Sequence, residues 1–99
     1  MVYIWGGERP HIGAVAAAQP RPSLADKERV SATASILTYL GHKEDVIVKN
    51  AAETLAAAVN TNVVVTAGIH WDRLKAPAIE TILSLCHQLV EELKRQLGA

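Results

Sequence analysis

The sequence predicts an α+β fold of two layers, a mainly antiparallel sheet of about four strands with two helices packed on one face. Three observations predict it. Short β-rich segments bounded by Gly and Pro fill the first forty or so residues. Two longer segments, beginning near Glu44 and Pro77, repeat apolar residues at helical spacing. A β-branched run, Val63-Val64-Val65-Thr66, lies between them. The order is therefore β-β-β-α-β-α, in a single domain spanning residues 1–99.

The first strand is predicted from Val2 to Trp5, with Gly6 to Pro10 as a turn. His11 to Ala18 is the second, because Gly13, Pro20 and Pro22 leave too little room for a helix. Gly13 inside it marks a close backbone approach or a bulge. Gln19 to Glu28, with Pro20, Pro22, Ser23 and Asp26, reads as a loop. Val30 to Leu40 is the third strand, and the short links suggest an antiparallel meander. Glu44 and Asp45 suit the positive end of a helix dipole. Ile47, Val48, Ala51, Leu55, Ala58 and Val59 then share one face of a helix ending near Asn60. Asn62 to Ile69 reads as a strand central in the sheet or covered on both faces. Pro77 fits the first turn of the last helix, whose apolar stripe runs from Ile79 through Cys86 to Leu97. The sheet face away from the helices is left open, available to a second copy of the chain.

With 99 residues the chain buries roughly two-thirds of its extended surface, enough for a modest core without disulfide or metal. The apolar fraction is 49% but the aromatic fraction only 4%, so small aliphatic side chains must build that core. Ten basic and ten acidic residues cancel, which argues against a nucleic-acid binder or a polybasic membrane-surface protein. Neutrality suits a chain that associates. One cysteine, Cys86, excludes an internal disulfide. No apolar run reaches the roughly 18 residues of a membrane span. Met1 to Trp5 enters a strand abruptly and does not read as a signal peptide, so the expected location is the cytoplasm.

Residues with chemical potential gather in three clusters, 6–13, 41–45 and 66–72. His11, His42, His70 and His87 lack metal-ligand spacing, so no metal site is expected. Ser35, Ser84 and Cys86 lack a nucleophile elbow, and Cys86 falls on the apolar stripe as a small core hydrophobe. Glu44 and Asp45 diverge by about 100° on a helix, and the helix-start preference for acids explains both. No catalytic residue is assigned. Gly41-His42-Lys43 ahead of a helix, and Gly6-Gly7-Glu8-Arg9, could bind an anion, or they could simply be turns that need glycine. Trp5 and Trp71 could form a wall for a planar ligand or sit at a subunit interface.

In order and spacing, several pieces together resemble the prenylated-flavin chaperone LpdD-like family. They are Gly6-Gly7, Pro10-His11-Ile12-Gly13-Ala14-Val15, Gln19-Pro20, Pro22-Ser23, Ser31-Ala32-Thr33, Gly41-His42-Lys43-Glu44-Asp45 and Val64-Val65-Thr66-Ala67-Gly68-Ile69-His70. The resemblance runs from Tyr3 to about Leu93. Such proteins accompany UbiD-type decarboxylases and are similar in fold to small proteasome-assembly chaperones, which are α+β dimers. The resemblance implies a non-enzymatic accessory protein that binds prenylated flavin mononucleotide or assists its loading into a UbiD-type decarboxylase. It carries over no catalytic residues. By position and residue type, Gly7, Arg9, His11, His42, Lys43, His70 and Trp71 are the expected contacts, with Arg9 near the phosphate and Trp71 near the ring. Two other roles fit the same residues. One is a homodimeric assembly chaperone that holds a partner protein without ligand. The other is a decarboxylase subunit, inactive alone, that completes an active site at an interface.

Overall fold

Alternation along the strands sets the two layers. The structure, a computed structural model, describes residues 1–7, 11–39, 44–70 and 75–98. Its elements are β1 (Val2–Gly7), β2 (Ala14–Pro22), β3 (Val30–Thr38), α1 (Asp45–Val59), β4 (Val63–His70) and α2 (Ala76–Gln96), in the predicted order. Ile4, then Ala14, Ala16 and Ala18, then Ala32, then Val63, Val65 and Ala67 are buried on one side of the sheet. They meet Val48, Ala51, Ala52, Leu55 and Ala56 of α1 in one core. Alanines face each other across the layer, so α1 lies against β2, β3 and β4 with little side-chain bulk between. The opposite sheet face is open, as the sequence suggested: Tyr3, Trp5, Ala17, Leu37 and Val64 are exposed.

Strand order departs from a simple meander. The four strands run β1-β4-β2-β3. β2 and β3 do form the expected antiparallel pair, but β1 lies beside β4 and parallel to it, with Val2 opposite Val65 and Gly7 opposite His70. The β-branched strand β4 is central, flanked by β1 and β2. β1 pairs with the β-branched β4 and not with the Ala-rich β2, and nothing in local sequence encodes that choice.

The loop expected at Gln19–Glu28 begins later. β2 starts at Ala14 rather than His11 and continues through Pro22, with Pro20 opposite Ala32 and Pro22 opposite Val30. Both prolines lie beyond Ala18, the last residue of β2 paired to β4. The strand there has one neighbour, so a missing N–H interrupts no ladder on the other side. Arg21 ties this extension to β3 by a 2.6 Å bond from Nε to the Thr33 hydroxyl.

Helix boundaries follow the sequence closely. α1 stops at Asn60 in the left-handed conformation, a usual way to end a helix. α2 carries proline in its first turn and Lys94 and Arg95 in its last, both favourable to the helix. Its apolar stripe is only partly used. Cys86 and Val90 are buried and Ile82 and Leu93 partly so, whereas Leu89 is 60% exposed. α2 packs on α1 rather than across the sheet, so half its stripe stays exposed among the described residues. Burial pushes the Cys86 thiol above its ordinary pKa. A raised value lowers the reactive thiolate fraction at pH 8. Cys86 is therefore expected to react with a disulfide reagent at least about tenfold more slowly in the native chain than in urea.

Candidate functional site

One end of the sheet collects the described parts of the polar clusters. β1 and β4 are parallel and finish together, Gly6 opposite Ile69 and Gly7 opposite His70. β2 begins there, with Ala14 opposite Ala67, and β3 ends there, with Thr38 opposite Ala14. α1 also starts at this end, because Glu44 accepts a bond from the Ile69 N–H.

Residues 11–13 strap across that end. The Gly13 N–H donates to the Ala67 carbonyl at 2.8 Å, and the Tyr39 N–H donates to the Gly13 carbonyl at 2.9 Å. The Tyr3 hydroxyl donates to the His11 carbonyl at 3.0 Å. The strap lies so close to β4 that a Cβ on Gly68 would overlap the His11 carbonyl. A Cβ on Gly13 would overlap the Glu44 carboxylate, which accounts for the close approach expected at Gly13.

Glu44 is the residue whose role the sequence concealed. It occupies the N-cap of α1, yet its side chain makes no cap bond. The carboxylate is 8% exposed and turns into the site, where Oε1 lies 3.0 Å from His11 Nε2 and 3.3 Å from the Ile69 nitrogen. Asp45 is the acidic residue of the first turn, and Glu44 at the N-cap has, besides its place at the positive end of the helix, these contacts in the site. A signal was present: with Asp45 already supplying the favourable charge, a second acid between Gly-rich segments was surplus to the helix. Tyr3 was likewise not among the expected contacts, yet its hydroxyl holds the His11 carbonyl.

Of the expected contacts, His11, Gly7 and the backbone of His70 come together at this end. Gly7, the last residue of β1, has φ of 89°. Arg9, His42, Lys43 and Trp71 lie outside the described residues. Trp5 is 69% exposed and borders a groove of about 310 Å³ with Val2, Tyr3, Leu89 and Leu93 along the β1 edge. Among the described residues, no group of three or more His, Cys, Asp or Glu could hold a metal ion. No described helix is long and apolar enough to cross a membrane.

Fold and site together define a small two-layer α+β domain with one sheet face open and the His11–Glu44 pair at one end of the sheet. The chain belongs to the prenylated flavin chaperone LpdD-like domain family, whose model matches residues 1–98. Membership places it among chaperone domains linked by name to prenylated flavin. No curated protein and no solved structure matches the chain.

Proposed function

We propose that this protein is a non-enzymatic accessory chaperone of the cytoplasm that binds prenylated flavin mononucleotide and assists its loading into a UbiD-type decarboxylase. The observation that carries the reading is the family match over residues 1–98; Gly7, His11 and the backbone of His70, the described members of the expected contacts, lie at one sheet end. The donor set suits a flavin. His11 and the backbone ends of β1 and β4 offer polar contacts for the ring or ribityl chain, and exposed Tyr3 and Trp5 offer apolar surface nearby. The buried Glu44 carboxylate beside His11 repels a phosphate. By residue type, Arg9 and Lys43 are the phosphate contacts of this proposal and Trp71 the ring contact.

Titrating the protein with flavin mononucleotide and with its prenylated form tests this, read by tryptophan fluorescence and calorimetry. Binding in the micromolar range is expected. His11→Ala should weaken it about tenfold, the worth of one hydrogen bond of about 1.4 kcal/mol. No signal from either flavin at high micromolar concentration would overturn the cofactor-binding reading.

The open sheet face favours a second reading, a homodimer or a protein-bound form in which the chaperone holds the decarboxylase directly. Tyr3 at 45%, Leu37 at 59% and Trp5 at 69% exposure form an apolar surface on a chain of zero net charge. Sedimentation as a dimer, together with co-purification of a flavin-free decarboxylase, would support it.

A further inference from the structure

We propose that Glu44 is a positioning residue that fixes the neutral His11 imidazole as its Nε2–H tautomer. With Glu44 as a carboxylate, its described contacts point to one assignment. Glu44 Oε1 already accepts from the Ile69 N–H at 3.3 Å, so this oxygen acts as an acceptor. The same oxygen lies 3.0 Å from His11 Nε2. Two acceptors cannot share that contact, so Nε2 carries the proton and donates it. In the neutral ring Nδ1 then holds a lone pair, and any group that meets it, from the chain or from a ligand, must be a donor.

The device is built rather than incidental. The carboxylate is 8% exposed and the imidazole 20%, so water competes weakly for the bond. Gly13 gives the carboxylate its space, Gly68 lets the His11 carbonyl descend onto β4, and the Tyr3 hydroxyl donates to that carbonyl. Ring and backbone of His11 are thus both anchored, and among the described contacts Glu44 anchors the ring. A flavin offers matching donors in its ring imide N–H and its ribityl hydroxyls. This last step rests on the flavin-binding reading, whereas the tautomer does not.

The test uses the full chain with 15N-labelled histidine, at a pH above the histidine titration range, without ligand. The His11 ring should show a protonated Nε2 and an unprotonated Nδ1, with the Nε2 proton exchanging slowly with water. Glu44→Gln keeps an acceptor oxygen and should preserve this spectrum, whereas Glu44→Ala should restore fast exchange. In flavin mononucleotide titrations, Glu44→Ala should weaken binding about tenfold and Glu44→Gln less than about threefold. The Glu44→Ala, His11→Ala double variant should bind no more weakly than His11→Ala alone, because the two act as one unit. A proton on Nδ1 of the neutral wild-type ring overturns the proposal. So does slow Nε2 exchange that survives in Glu44→Ala. If Glu44→Ala does not fold, loss of the protonated Nε2 signal in folded Glu44→Gln overturns it. Wild-type protein that binds no flavin would end the flavin reading, while the imidazole spectrum would still decide the role of Glu44.

Discussion

Replacing Gly68 with alanine is expected to cost about 3 kcal/mol of stability, at the upper end of what overpacking exacts. Gly68 is buried, and its added methyl would overlap a backbone carbonyl, that of His11, rather than the end of a flexible side chain. The carbonyl cannot withdraw alone. It is held by the Tyr3 hydroxyl, and its segment is tied to β4 through the bond from Gly13 to Ala67. Relief therefore means lifting residues 11–13 from the sheet and parting His11 from Glu44. A urea-unfolding midpoint read by circular dichroism measures the cost. Ser35→Ala, at an exposed position on β3, is the control and should shift stability by less than about 0.5 kcal/mol. A Gly68→Ala variant with wild-type stability would mean that the strap does not press on β4.

Leu55→Ala is expected to remove about 2–5 kcal/mol. Leu55 is among the largest fully buried side chains, with Val48 and Val65. Its neighbours in the core include Ala16, Ala18, Ala51, Ala52 and Ala56, which have no length with which to reach into a cavity. A site that cannot collapse keeps its void, so the loss should lie in the upper half of that range. A domain of this size has only about 5–15 kcal/mol in total, and the variant should begin to unfold well below the wild-type midpoint. Leu89→Ala offers the contrast. Leu89 is 60% exposed on α2, and its truncation should cost less than about 1 kcal/mol. Equal losses at the two positions would show that α2 is buried more deeply than its exposure indicates.

The elements that were legible in the sequence are those whose signal is local. The helical stripe of Ile47 to Val59 and the β-branched run at Val63–Thr66 each announce their own periodicity, and both helices and all four strands appear in the expected order. Pro20 and Pro22 misled because proline usually breaks a strand. Here they fall where β2 has only β3 beside it. The apolar stripe of α2 was legible as a stripe, but not how little of it the chain would cover. At the site, glycine-rich clusters pointed to His11, Gly7 and His70, while Glu44 passed for a helix-start charge.

By itself the sequence determined the composition of this protein, its α+β class, the order of its elements and the apolar stripe of each helix, because a period of 3.6 residues is a property of neighbouring positions. Only the tertiary structure decided which strands are neighbours and which polar groups meet. β1 reaches β4 across about sixty residues, and Glu44 meets Ile69 and His11 at separations of 25 and 33 residues. The parallel register of β1 and β4 draws the ends of the sheet together, and burial turns an ordinary helix-start glutamate into the partner of a histidine. Such pairings depend on packing the whole core at once, and no window of local sequence contains both partners.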